Sequence, residues 1–192
     1  MENVLDRQTR HMSRLIEGVL DFSRLGHGKV QPNKQRVDLG QLIEVVIEAV
    51  RPCVEERGHE LAVALPPCRV VLEADPTRLA EVLTNLLENA ARYSGPGRDI
   101  MVSASRWHDM VEVRVADRGP GIAAPDRERV FDEFYRRDVG PQRGGTGLGL
   151  AIARAVVTGH GGSIWIEDTP GGGATVGFRL PLHRERAAAA RP

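Results

Sequence analysis

Four of the seven residues at 144–150 are glycine, and an apolar, alanine-rich segment follows at 151–157. Glycines have no side chain, so they let backbone amide groups approach a ligand closely. The apolar segment is typical of a helix, whose first turn adds unpaired N–H groups and the positive end of the helix dipole. The combination predicts a turn that opens a helix and can hold phosphate groups. The alternative is an ordinary turn, which most glycine clusters form.

Composition narrows the class of protein. The 192 residues are 41% hydrophobic, and Lys+Arg and Asp+Glu number 26 each, so no net field attracts nucleic acid or an anionic membrane. Cys53 and Cys68 are isolated, which favours neither a disulfide framework nor a Cys/His metal site. No run approaches the roughly 20 apolar residues of a membrane span. We expect a cytoplasmic chain, or the cytosolic part of a larger membrane-anchored or soluble protein, that does not bind nucleic acid.

Residues 2–25 predict an amphipathic helix. Its main apolar residues follow intervals of seven, three and four, as in a coiled-coil seam: Leu5, Met12, Leu15, Val19 and Phe22. A lone helix with this face is unstable in water, so it requires a partner helix. A linker follows, and Asp38 is then a suitable N-cap for a second helix that ends near Gly58. Pro52 inside this helix predicts a kink or a restart.

A further helix opens at Asp75 and Pro76, after two short predicted strands at 61–65 and 70–72. Glu81, Asn85 and Asn89 recur every four residues along one face, where the ordinary interpretation is a solvated helix surface. The apolar residues on the core-facing side are Leu79, Val82, Leu83, Leu86, Leu87 and Ala90.

The second half of the chain alternates strands and turns. Two antiparallel strands at 100–105 and 111–115 lead into Asp117, whose ordinary interpretation is a turn residue. A short helical piece at 126–134 and a polar surface loop come next. The glycine-opened helix is followed by strands at 163–166 and 174–180, with a turn at 171–173 between them.

Four segments resemble the motif boxes of sensor histidine kinases, in that family's order and at compatible spacings. They are EVLTNLLENAARY at 81–93 (N box), DRGPGI at 117–122 (G1), FDEFYR at 131–136 (F) and GTGLGL at 145–150 (G2). Residues 10–25 are also similar to the second helix of the family's dimerisation domain, and residues 36–182 to its ATP-binding domain.

The resemblance implies an α/β fold, an α+β two-layer sandwich of the Bergerat type. A mixed sheet would be covered on one face by three helices and preceded by one bundle helix. The implied domains are a partial dimerisation hairpin (1–28), a linker (29–37), the ATP-binding catalytic domain (38–182) and a disordered tail (183–192).

The resemblance also implies a site for ATP and Mg²⁺. Asn89 would bind the metal, because an amide oxygen is a hard ligand and Mg²⁺ takes few protein groups beside water. Asn85, one turn earlier, would help to position the metal or the phosphates, and Asp117 would accept a hydrogen bond from the adenine amino group. The implied ATP-binding residues are Asn85, Asn89, Arg92, Tyr93, Asp117, Gly119, Gly121, Ile122, Arg136, Gly145, Thr146, Gly147, Leu148, Gly149 and Leu150.

For three residues, the role that the resemblance implies has an alternative. Arg136 and Arg143 could neutralise the triphosphate or could be solvated. Tyr93 could pack by the nucleotide or only at the end of its helix.

One feature of the family is absent from this sequence. The phosphoacceptor histidine is followed by an acidic residue and, a few positions later, by a proline. His11 is followed by Met12, Ser13 and Arg14, so we interpret it as a histidine on a helix surface. The other histidines lack the acceptor's sequence context, and we assign no catalytic residue.

Two functions therefore stay open. The first is the ATP-binding part of a histidine kinase, which phosphorylates a dimerisation domain on another chain or upstream, serves a response regulator, and is a homodimer at full length. The second is a non-catalytic ATP-binding module that pairs with a partner kinase through its N-terminal helix. A gyrase- or chaperone-type ATPase is disfavoured, because Asn85 stands where that class uses a water-activating glutamate. An anti-sigma-type serine kinase explains the helix at 2–25 less well.

Overall fold

The computed structural model describes residues 32–95, 97–136 and 146–183. The helix predicted at 2–25 and the polar loop with Arg143, Gly144 and Gly145 lie outside the described residues. The described elements are β1 (Gln35–Asp38), α1 (Leu39–Glu56), β2 (Leu61–Ala64), β3 (Val71–Ala74), α2 (Pro76–Tyr93), β4 (Ile100–Trp107), β5 (Met110–Ala116), α3 (Gly149–Gly159), β6 (Ser163–Asp168) and β7 (Ala174–Pro181).

The described strands form a mixed sheet in the order β2-β4-β5-β7-β6. The β2–β4 pair is parallel, and the other neighbours in this sheet are antiparallel. A separate pair, β1 with β3, is antiparallel. Together with the helices, this confirms the predicted α/β architecture.

Helix α2 occupies the centre of the helical layer. Asp75 caps it by accepting hydrogen bonds from the backbone N–H groups of Thr77 at 3.1 Å and Arg78 at 3.2 Å. Every apolar residue predicted to face the core is at most 4% exposed. Helices α1 and α3 both pack against α2, so its position is fixed from two sides.

A buried histidine joins the ends of α2 and α3. The Nε2 atom of His160 accepts the backbone N–H of Asp75 at 2.9 Å. Its Nδ1 atom donates to the carbonyl oxygen of Val156 at 2.8 Å. The C-terminal end of α3 therefore lies beside the N-terminal end of α2. The first turn of α3 lies further along α2, in the direction of the C-terminal end of α2.

The opposite face of the sheet carries a charged cluster. Glu112, 6% exposed, accepts hydrogen bonds from Arg114 and Arg179, and the Arg179 guanidinium lies between the rings of Trp107 and Trp165. Burial alone raises the pKa of Glu112, but the two arginines together outweigh it and lower the pKa. The helical layer and this cluster thus cover different faces.

Three expectations from the sequence need correction. Pro52 lies inside α1 without interrupting it, so the predicted restart is wrong. Residues 35–38 form a strand, although the sequence suggested a linker there. The helical piece expected at 126–134 consists of two short 3₁₀ turns, Ala124–Asp126 and Arg129–Phe131.

Candidate nucleotide site

The polar face of α2 meets the first turn of α3. Asn85 and Asn89 are partly exposed on the side of α2 that does not enter the core. A methyl group built on Gly149 would lie 3.3 Å from Oδ1 of Asn85, so the backbone of α3 begins directly against this side chain. The asparagine row and the glycine-opened helix, which are about 60 residues apart in sequence, are neighbours in the fold.

The start of α3 has backbone N–H groups that are available to a ligand. Leu148 stands at the N-cap position and makes no side-chain capping bond. Its own N–H donates to Oγ1 of Thr146 at 3.2 Å. The N–H groups of the following turn have no carbonyl partner within the helix, which is the arrangement that binds anions.

A backbone contact precedes this turn. The N–H of Phe134 donates to the carbonyl oxygen of Gly147 at 3.1 Å. Gly147 has φ +74°, and a methyl group there would lie 2.8 Å from the carbonyl carbon of Phe134. Phe134 is 57% exposed and has φ 58°. The F-box segment and the glycine turn are therefore held together through their backbones.

Asp117 directly follows the last residue of β5, and its carboxylate is partly buried. Its Oδ1 atom accepts two backbone hydrogen bonds, from Gly119 at 2.7 Å and from Ala174 at 3.2 Å. Burial raises the pKa of the carboxyl above its ordinary value, although both backbone donors act to lower it. A partly buried carboxylate with one oxygen already paired is suited to accept one more donor from a ligand.

The turn after Asp117 contacts the C-terminal end of α2. A methyl group on Gly119 would lie 2.7 Å from the carbonyl oxygen of Tyr93, so no larger residue fits between them. Asp117 and the polar row of α2 are thereby brought to the same end of the helical layer.

The other predicted residues have varied surroundings. Arg92 donates to Oδ1 of Asn89 at 3.4 Å and lies 3.8 Å from Glu88. Leu148 is 1% exposed, and Leu150 packs against the core, so their side chains belong to the core. The carbonyl of Ile122 accepts from Arg127 at 3.1 Å, and Arg136 is exposed.

The contact of Asp117 with Gly173 and Ala174 was not predicted. The sequence indicated only a turn at 171–173, whereas Gly173 and Ala174 lie directly on Asp117. The Asp117 N–H donates to the carbonyl oxygen of Ala174 at 2.9 Å, and a methyl group built on Gly121 would lie 3.2 Å from the carbonyl oxygen of Gly173. The run of three glycines was the available signal, but it did not show which strand the turn would meet.

The donor set at Asn89 fits a single hard cation. Asn89 is partly exposed, and among the described residues its amide oxygen accepts only the long hydrogen bond from Arg92. No group of three or more His, Cys, Asp or Glu in the described parts of the chain could hold a metal ion. Mg²⁺ commonly takes one or two protein oxygens and completes its shell with phosphates and water.

The fold and this arrangement define an ATP-binding domain. The chain belongs to the histidine kinase-, DNA gyrase B- and HSP90-like ATPase family, whose family model matches residues 74–184. Membership in this family implies ATP binding.

Its relatives are sensor histidine kinases. The chain is 34% identical to sensor histidine kinase WalK of Bacillus subtilis over 95% of its length and 30% of WalK's. It is 39% identical to probable sensor histidine kinase TcrY of Mycobacterium tuberculosis, over 91% and 36% of the two lengths. Full-length ShkA, solved in complex with AMPPNP, is 32% identical with a TM-score of 0.80, over 92% of this chain and 37% of ShkA. The chain thus spans about a third of the length of these relatives.

No helix in the described parts of the chain combines the length and the apolar character needed to cross a bilayer.

The contact between Gly147 and Phe134 predicts a difference between two glycine substitutions. Gly97 has φ +65° and nothing within 4 Å of an added methyl group, so Gly97→Ala should cost about 1–2 kcal/mol of backbone strain. Gly147→Ala adds a clash with backbone atoms and should destabilise by roughly 1 kcal/mol more. Urea unfolding of both variants measures this, and equal costs would contradict the contact.

The buried carboxyl of Asp117 predicts opposite changes in stability and in binding. The folded chain keeps this proton to higher pH than the unfolded chain does. The free energy of unfolding therefore falls as pH rises from about 4, the ordinary aspartate pKa, through the raised pKa. Asp117→Asn removes this loss, so the variant should be more stable than the parent at pH 7 and lose that advantage towards pH 4. Its ATP binding should weaken by about 1–3 kcal/mol.

Urea unfolding between pH 4 and pH 7 and calorimetry with ATP are the measurements. The control is Asp99→Asn, because Asp99 is exposed. A stability difference that does not vary with pH would count against the buried charge. Equal binding of ATP and GTP by the unaltered chain would count against adenine recognition by Asp117.

Proposed function

We propose that this chain binds Mg²⁺ and ATP and donates the γ-phosphoryl group to a histidine of a dimerisation domain in two-component signalling. The observation that carries this proposal is the arrangement around α2. The carboxylate of Asp117 stands at its C-terminal end, and Asn85, on its polar face, meets the open first turn of α3. The adenine base and the metal-bound triphosphate would therefore lie on the same side of α2, with the phosphates at the first turn of α3.

Each group has a role that its chemistry allows. The remaining oxygen of Asp117 accepts a hydrogen bond from the amino group of adenine. This selects against a base that has a carbonyl group in place of the amino group. Asn89 would hold the cation, which would neutralise phosphate charge, and Arg92 lies beside Asn89. The N–H groups at the start of α3 orient the phosphates. Such catalysis rests on positioning and charge neutralisation.

The acceptor histidine is proposed to belong to another chain or to an upstream region. His59 and His160 are 5% and 6% exposed, and both ring nitrogens of each lie within hydrogen-bond distance of backbone atoms. Neither can reach a γ-phosphate without disrupting the core. A response regulator is the expected final acceptor, and a homodimer is the expected form of the full-length protein.

The alternative is a non-catalytic module that binds ATP and pairs with a partner kinase. It is favoured by the sequence, in which none of the six histidines has the complete acceptor motif.

A transfer experiment distinguishes the two proposals. The purified chain is mixed with γ-labelled ATP, Mg²⁺ and a separately produced dimerisation domain from a sensor kinase that carries the acceptor histidine. Label on that histidine is the expected result, and a dimerisation domain with His→Gln is the control. ATP binding without transfer, repeated with several dimerisation domains, would favour the module.

Asn89→Ala tests the metal role. The variant should lose the part of ATP affinity that depends on Mg²⁺, because the amide oxygen is the only protein ligand proposed for the cation. Calorimetry with Mg²⁺ and with chelator measures it, and circular dichroism checks the fold. Asn33→Ala is the matched control, because Asn33 is exposed and lies beside the opposite end of α2, near Asp75. Unchanged Mg-dependent affinity in Asn89→Ala would rule out this role.

A further inference from the structure

We propose that Gly173, the last residue of the turn between β6 and β7, and Ala174, the first residue of β7, are positioning residues that aim the carboxylate of Asp117 at the base. The inference rests on the proposed function of Asp117 in adenine recognition. It assigns the choice between bases partly to a turn that lies more than 50 residues from Asp117 in the chain.

Two backbone donors converge on one oxygen of Asp117. Gly119 donates from the turn that follows Asp117, and Ala174 donates from the neighbouring strand β7. Among the described residues, no hydrogen bond reaches the other oxygen, Oδ2. The two donors fix the plane of the carboxylate and leave Oδ2 for a donor from the ligand.

The turn that precedes the N–H donor of Ala174 is stabilised by hydrogen bonds of its own. Thr169 donates its N–H to the carbonyl oxygen of Gly173 at 3.2 Å, and Gly172 donates to that of Thr169 at 2.9 Å. The hydroxyl groups of Thr169 and Thr175, both buried, lie 2.9 Å apart. The turn therefore has little freedom to move away from Asp117.

Two arginine side chains also connect the turn to the residues that follow Asp117, which we call the Asp117 loop (residues 117–122). Arg118 donates to the carbonyl oxygen of Pro170. Arg127 makes an ion pair with Asp168 at 2.6 Å and also donates to the carbonyl oxygen of Ile122. The turn is thus attached to the Asp117 loop at both ends.

Gly173 has no room for a side chain at this contact. A methyl group there would lie 2.0 Å from the carbonyl oxygen of Asp117 and 2.8 Å from Cα of Arg118. These are backbone atoms, so the turn and the Asp117 loop would have to separate. Separation would lengthen the hydrogen bond from Ala174 and release the carboxylate.

The chain provides a matched control for this substitution. Gly172 has φ +104°, close to the +109° of Gly173, and a methyl group on Gly172 would meet nothing within 4 Å. Gly172→Ala and Gly173→Ala therefore carry a similar backbone strain, and only Gly173→Ala pushes against Asp117.

The test compares ATP with purine riboside triphosphate, which lacks the amino group, in the full chain with Mg²⁺. The unaltered chain and Gly172→Ala should prefer ATP by a similar ratio. Gly173→Ala should reduce that ratio by roughly tenfold, the effect of one misaligned charge-assisted hydrogen bond, and keep its affinity for the analogue. An unchanged ratio in Gly173→Ala would overturn the inference. No ATP binding by the unaltered chain would instead refute the proposed function.

A measurement on the unaltered chain does not depend on how Gly173→Ala folds. In an NMR pH titration, the amide protons of Ala174 and Gly119 should shift with one midpoint, that of the Asp117 carboxyl, because both donate to its Oδ1. Both amide signals should also move when ATP binds. An Ala174 amide that does not follow the carboxylate would overturn the inference, whatever the behaviour of the variants.

Discussion

Burial of the apolar face of α2 is the constraint on which the rest of this structure depends. Seven apolar residues of this helix are at most 4% exposed, and α1 and α3 pack on either side of it. Rotating α2 by even a part of a turn would expose several of its leucine and valine side chains, each of which contributes about 1.5–3 kcal/mol when buried. The core thereby fixes where Asn85 and Asn89 point, and the site takes its geometry from hydrophobic packing.

Asp117 introduces a cost that this packing must offset. A carboxylate is unfavourable in a buried position, which is why its pKa rises, and two backbone donors compensate only in part. A neutral residue would be more stable there. The proposed role of the carboxylate in adenine recognition accounts for its position, since a partly buried acceptor with one oxygen paired discriminates between ligand donors better than a solvated one.

The sequence predicted the elements whose signals are local. The caps at Asp38 and Asp75, the core face of α2 and the β4–β5 pair follow from spacing and capping chemistry, and the structure contains all of them. It did not predict the uninterrupted passage of α1 through Pro52, where tertiary packing outweighs the lost backbone hydrogen bond. Strand β1 was missed because four residues, Gln35–Asp38, carry too little pattern until β3 pairs with them.

The glycines of the motif boxes show the same limit more sharply. The resemblance implies that the backbone at Gly119, Gly147 and Gly149 lies close to a bound ligand. In the structure, a methyl group on Gly119 or Gly147 would first strike the backbone of Tyr93 or Phe134, and one on Gly149 would press on the side chain of Asn85. These glycines let segments that are distant in sequence come into contact. A glycine pattern indicates close approach, but only the fold shows what approaches.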